Sequence, residues 1–366
     1  MTPTYDRIWT PVLETVRTDA LDCVQTNLAA MADRLGGAGA HLALGAPLRF
    51  ETEPGAARVA ASLEHRLAAA DDLLGLRVER RWEGIDGPAL RALVAEHGPL
   101  HVVADAFGLQ WTVLFGRQHS DHTFILAGPN TVVDAYHDDT AWGACRPGVW
   151  RITDAELDAC VPSATVLRLA AGPATACEDV LRVNAHSLAA AGPAIEAYLA
   201  ASVPSDLVLD IWLLGRSRLL HAAWLERQGL PAAEMAAQAR AWLTLASTSY
   251  VVLRRSAGGA PASVVDELRE LLREDAAVAA RLAAGGIRAA LVDVVGEVLR
   301  IDERGGVAGA ALRDLPNYNS LRLVEIVERA EVRLGVRLDD TDLTPQALRD
   351  VDSLCAAFER RVRESH

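Results

Sequence analysis

One cysteine of this chain stands where a thiol gains reactivity. Cys23 lies in Leu21-Asp22-Cys23-Val24-Gln25-Thr26-Asn27. Apolar residues at Val24, Leu28, Met31 and Leu35, followed by Gly36-Gly37, predict a helix that begins at this point. A helix N-terminus favours the thiolate over the thiol. A nucleophile of this kind also needs a base, and a third group to orient that base. Residues 120–134 offer both, because they read as a hairpin in which His122 opens the first strand and Asp134 ends the second. His119 and His137 compete with His122 as the base, and Asp138 and Asp139 are further candidates for the acid. The hairpin register decides between them. A two-residue Pro129-Asn130 turn sets His122 opposite His137 and Asp134 opposite Ile125, on the other face. A three-residue loop brings Asp134 to the face of His122. Both strands are apolar on both faces, so the two registers stand open.

A second chemical group opens a helix near the other end. Ile287 to Ile301 is amphipathic, and a long loop leads to Asn319-Ser320-Leu321. The helix that starts there runs to Leu334, with Leu321, Val324, Val327 and Ala330 as its expected apolar stripe, and Gly335 stops it. Val336-Arg337-Leu338 is extended, Thr344-Pro345 predicts a short third helix, and Asp352 caps a fourth. The spacing is that of a four-helix bundle with one long first loop.

The elements that must position these groups divide the chain in three. Residues 1–165 read as α+β, with strands expected at 101–104, 111–115, 123–127 and 131–133. Residues 166–284 are almost wholly helical in period, with breaks at Gly192-Pro193, Val203-Pro204, Gly229-Leu230-Pro231 and Gly258 to Pro261. Ala283-Ala284-Gly285-Gly286 reads as a linker to the last unit, 285–366.

Composition removes several kinds of chemistry. The sequence has no lysine, which excludes a Schiff-base lysine and a standard phosphate-binding P-loop. A formal net charge of −13 disfavours nucleic acid as a partner. Five scattered cysteines without CxxC or Cys/His spacing point to free thiols, a reducing cytoplasm and no metal centre. No apolar run is long enough to span a bilayer, and the N-terminus lacks the pattern of a signal peptide.

The stretch NSLRLVEIVERAEVRLGVRL resembles acyl carrier proteins, in which an Asp-Ser-Leu motif opens the second helix. The resemblance covers about the last eighty residues and implies 4'-phosphopantetheine on Ser320. The free amides and dipole of a helix N-terminus suit a phosphodiester. Asn319 stands where that family usually has Asp, and the literal Asp352-Ser353-Leu354 opens the last helix, so it reads as a cap.

The order of helix-borne cysteine, strand-borne histidine and carboxylate on the next strand resembles papain-like, bacteriocin-processing cysteine peptidases. It is closer to the butirosin-H family of acyltransferases. Asp22-Cys23 with its helix, Leu44 to Phe50, Gly98 to Asp105 and His122 to Asp134 carry this resemblance, as do Ser217-Arg218-Leu219-Leu220 and Ala241-Trp242. It implies a papain-like α+β domain with Cys23 as nucleophile, His122 as base and Asp134 as orienting carboxylate. Asp105 matches a family aspartate. Papain-like enzymes carry a glutamine shortly before the cysteine. None precedes Cys23 here, and Gln25 follows it. Together the two resemblances imply an acyltransferase of specialised metabolism that moves an acyl or aminoacyl group from a carrier thioester to an amine or hydroxyl. Its partners would be a phosphopantetheinyl transferase, an acyl-loading enzyme, a small-molecule acceptor and a separate carrier protein. If water is the acceptor the same site is a thioesterase, and without catalysis the chain is a docking scaffold.

Overall fold

The computed structural model describes residues 1–175, 179–256, 259–302 and 306–364. They form a mixed α+β protein whose residues cluster into two units, Met1–Cys177 with Ala191–Glu274, and Glu178–Ala190 with Asp275–His366. The first unit takes in the stretch expected at 1–165 and most of that expected at 166–284, whose residues 178–190 and 275–284 fall in the second unit.

The first unit begins with α1 (Trp9–Thr15), α2 (Cys23–Gly36) and α3 (Leu63–Leu74). Then follow β1 (Leu76–Ile85), α4 (Gly87–His97), β2 (Leu100–Asp105), β3 (Asp121–Gly128) and β4 (Thr131–Asp134). A small hairpin of β5 (Asp138–Thr140) and β6 (Gly143–Cys145) precedes β7 (Gly148–Arg151), α5 (Asp154–Cys160) and β8 (Ala164–Ala171). Six of these strands make one antiparallel sheet in the order β1-β8-β2-β3-β4-β7. Helices cover both faces, because the central strands are apolar on both. Ile125, Val133, Val149 and Leu167 pack with Leu28, Ala29 and Met31 of α2. Phe124, Leu126, Val132 and Val166 pack with Leu90 of α4 and Leu157 of α5.

The expected strand at 111–115 is instead a run of tight turns. Thr112 N–H bonds to the Leu109 carbonyl, and Phe115 N–H to that of Thr112. Gly116 takes a φ of 67°, which glycine tolerates without a Cβ clash.

α6 (Val180–Ala190) belongs to the second unit, whereas α7 (Gly192–Ala201), α8 (Pro204–Arg227) and α9 (Ala233–Arg255) complete the first. The breaks fall where proline and glycine predicted them, except that Gly258 lies outside the described residues. α8 seats on the turn Ala40–Gly45. Gly45 is required there, since a Cβ would come within 2.5 Å of the Leu220 carbonyl oxygen. His221 Nδ1 donates to the Gly45 carbonyl at 2.7 Å, and burial holds this imidazole neutral, down to about 4. The Arg218 guanidinium lies 5.4 Å from the Trp242 ring centroid, so the two short stretches singled out in this region meet.

α10 (Ala262–Leu299) is continuous through Ala283–Gly286, so the expected linker is helix. α11 (Ser320–Leu334) and α12 (Val351–Glu364) follow. Residues from Ile287 to Phe358 enclose a core of their own, built on Leu291, Val295, Leu312, Ile326, Leu354 and Phe358. Three details differ from expectation. Leu321 and Val324 are exposed, and the buried stripe of α11 is Ile326, Val327, Ala330 and Leu334. Thr344 makes a single capped turn, its Oγ1 accepting from Ala347 N–H, in place of a third helix. Asp350, not Asp352, caps α12, accepting from Ser353 N–H at 2.7 Å. No helix among the described residues is long and apolar enough to cross a membrane.

Candidate active site

Cys23 is the first residue of α2 and is half-buried. Its position is fixed from two sides. Asp22 caps the helix by accepting from Gln25 N–H at 2.8 Å, and the Gln25 side chain accepts in return from Asp22 N–H. Asp22 is held in turn by Arg66, whose Nε donates to Oδ2 at 2.7 Å. Gln25 is therefore engaged in capping the helix. On the strand side, the Thr123 hydroxyl donates to the Cys23 carbonyl at 2.6 Å.

Asn27, one turn further along α2, ties the same helix to both strands of the hairpin. Its Nδ2 donates to the Thr123 carbonyl at 2.8 Å and its Oδ1 accepts from Ala135 N–H at 3.0 Å. Thr123 neighbours His122 and Ala135 neighbours Asp134, so this one buried amide locates α2, which carries Cys23, against His122 and Asp134 together.

The hairpin register resolves the choice left open by the sequence. Gly128 pairs with Thr131 across a two-residue turn, but an irregularity at Ala127 makes Leu126 pair with Val132 and Ile125 with Val133. The extra residue shifts Asp134 onto the face of His122. The imidazole donates from Nε2 to Asp134 Oδ2 at 2.7 Å, with both side chains buried. Trp111 Nε1 also donates to Asp134 Oδ2, at 3.2 Å, and Tyr136 N–H to Oδ1, at 2.9 Å. Three donors thus satisfy a carboxylate that burial would otherwise penalise. Trp111 packs edge-on against Phe124, which places its indole.

Burial alone would make the His122 imidazole less basic. The Asp134 carboxylate and the neighbouring Cys23 outweigh it, through charge and hydrogen bonding, and raise its pKa to about 10. The imidazole thus stands beside the Cys23 thiol and the Asp134 carboxylate together. Tyr136 sets its ring edge-on to His122, with centroids 5.4 Å apart.

His122, and none of the competing histidines, pairs with Asp134, and the Nδ1 of His137 is buried without a hydrogen-bond partner among the described residues. His119 is exposed, 2.6 Å from Asp105 through Nδ1, and stacked on Phe107. Asp105 itself caps the turn Ala106–Gly108 and accepts from Phe107 and Ser120 N–H groups. Its bonds to His119 and these amides outweigh desolvation and keep its carboxyl below the usual range. Asp138 accepts from the Tyr136 hydroxyl, and Asp139 pairs with Arg146. Among the described residues no cluster of His, Cys, Asp and Glu could hold a metal ion.

A cavity of about 410 Å³ lies beyond the capping turn, lined by Gln25, Leu44, Arg66, Leu73, Leu214 and Ser217 among others. The Cys23 thiol is not part of its wall. Ser320, in the second unit, is exposed at the first position of α11, and Asn319 caps that helix by accepting from Arg322 N–H at 2.8 Å. Asn319, and not Ser320, makes this capping bond.

Asn27 and Trp111 are the residues that reading by motif overlooks. The signal for Asn27 is its place, four residues after Cys23 on a helix whose next turns are buried. No family model matches this chain, and no curated protein matches it.

Proposed function

We propose that the chain is a cysteine acyltransferase that takes an acyl or aminoacyl group from a carrier thioester and passes it to an amine or hydroxyl. The observation that carries this reading is the convergence of Cys23, His122 and Asp134, with the imidazole anchored at 2.7 Å to a buried carboxylate and raised in basicity by both partners. In the papain-like arrangement this implies, Cys23 attacks the thioester carbonyl. The bond from that carbonyl carbon to the carrier sulfur breaks, and the departing thiolate takes the proton held by His122. The acyl group is then on Cys23. An amine or hydroxyl attacks in turn, gives its proton to His122, and Cys23 leaves as the thiolate beside a recharged imidazolium.

Asp134 holds the imidazole in one tautomer throughout, and the N-terminal end of α2, where helix N–H groups lack intrahelical acceptors, is the proposed stabiliser of the developing oxyanion. The cavity beyond Gln25, with its mixed polar and apolar wall, is of a size for a small acceptor. The exposed Ser320 hydroxyl at a helix N-terminus fits 4'-phosphopantetheine, which supplies the thiol that carries an acyl group as a thioester. A phosphopantetheinyl transferase and an acyl-loading enzyme are the partners this reading requires, and the substrate thioester sits on this carrier or a separate one.

The test is intact and peptide-mapped mass spectrometry of the full chain. Coenzyme A and a phosphopantetheinyl transferase should add one arm to the wild type and none to Ser320→Ala. An acyl-pantetheine thioester should then leave its acyl group on Cys23. Full transfer by Cys23→Ala would overturn the mechanism. Release of free acid alone, whatever amine is supplied, would make the site a thioesterase.

A further inference from the structure

A buried arginine on α8 spans the two segments that must be held together. Arg216 is only 6% exposed, a rare state for an arginine unless its donors are met. Its Nη1 donates to the carbonyls of Thr18, at 3.0 Å, and Leu21, at 2.5 Å, just ahead of Cys23. Its Nη2 donates to the His137 carbonyl at 2.9 Å and to Asp138 Oδ1 at 3.3 Å, just after Asp134. The guanidinium lies over the Trp212 ring at 4.0 Å from the centroid, which fixes its plane. Asp138 also accepts from the Tyr136 hydroxyl, and Tyr136 packs on the edge of His122. Asp19, Asp22, Tyr136 and Asp138 are the ionisable groups that face the cation.

We propose that Arg216 is a positioning residue that sets the separation of Cys23 and His122, by clamping the turn before the thiol to the segment after the carboxylate. The proposal rests on the reading of Cys23 as the nucleophile. It gives the helical layer a part in the chemistry, because α8 then supplies the clamp that registers two distant loops of the α+β layer. A planar fork reaches four acceptors in two directions at once. A lysine ammonium at the same place keeps the charge but cannot span them.

The experiment is the rate of Cys23 alkylation by iodoacetamide across pH, read on the Cys23 peptide of the full-length protein. The wild type should react at about pH 6, where a lone thiol is protonated. Arg216→Lys should slow that reaction by roughly tenfold and move the profile to higher pH, since one pH unit of displacement is a tenfold change in reactive fraction. Asp210→Asn is the control. Asp210 is a buried residue of the same helix that accepts from Val59 N–H and the Tyr198 hydroxyl, so its loss should change thermal stability and leave the profile in place.

A wild-type profile in Arg216→Lys overturns the clamp and leaves the nucleophile reading intact. An ordinary thiol profile in the wild type overturns both. If Arg216→Lys does not fold, Asp138→Asn decides. Removing a nearby negative charge by itself eases thiolate formation, so slower alkylation supports the clamp, and equal or faster alkylation overturns it.

Discussion

At the scale of single residues, the site is a matter of one proton. His122 holds it against burial because Asp134 and Cys23 lie beside it. The folded pKa of about 10 lies above the ordinary 6.5, so the pair stabilises the fold fully below about pH 6.5, and the contribution is lost as pH rises through about 10. Asp134→Asn should therefore cost about 3 kcal/mol or more at neutral pH, as breakage of a buried pair does. Its difference from wild type in urea unfolding should shrink as the pH approaches 10. A constant difference across that interval would remove the charged pair. The juxtaposition of these three residues could be anticipated in the sequence because each carries a distinctive functional group at an element boundary. Their alternatives were not separable there, since His119, His122 and His137 have the same chemistry and only packing distinguishes them. His119 turned out to be engaged by Asp105 at the surface.

At the scale of elements, α2 and the β3–β4 hairpin do the positioning, and Asn27 joins them. Asn27→Ala would leave the Ala135 N–H without its acceptor in a buried place. Stability should fall by about 1–3 kcal/mol. In the transfer assay kcat should fall while KM stays near its wild-type value, because the residue touches helix and strands, not the cavity. A selective rise in KM would assign it to binding. Helix starts and stops were readable from Asp22, Gly37, Pro193 and Pro204, whose local chemistry suffices. The 111–115 segment was not. Its apolar residues match a strand by composition, but Trp111 is buried to reach Asp134, a contact made across 23 positions of sequence. The turn at Thr344 escaped for the opposite reason: its cap is real, but no helix propagates from it.

At the scale of the whole chain, a C-terminal core apart from the two on the faces of the sheet implies separable stabilities. The core built on Leu291, Ile326 and Phe358 shares no residue with those on the faces of the sheet. Phe358→Ala should remove about 3–5 kcal/mol from one calorimetric transition. The rate of Cys23 alkylation should not change. A single transition that moves as a whole would show the two units to be thermodynamically one. In the C-terminal unit Val327 and Ala330 were legible from helical spacing, whereas Leu321 and Val324 fit the same spacing and are exposed. The helix through Ala283–Gly286 was not legible, since two glycines usually end a helix, and here α10 continues through both.

The irregularity at Ala127 bears on how such a site can be transplanted. Most of the hairpin's residues matter by identity, but this one matters by count. Copying His122 and Asp134 into another two-residue hairpin without the additional position would send the carboxylate to the opposite side of the sheet from the imidazole. Loop-shortening designs that delete a residue between 126 and 130 would likewise keep every functional group and lose the pairing. In this protein the meeting of imidazole and carboxylate is recorded partly as a parity, odd or even, of the chain between His122 and Asp134.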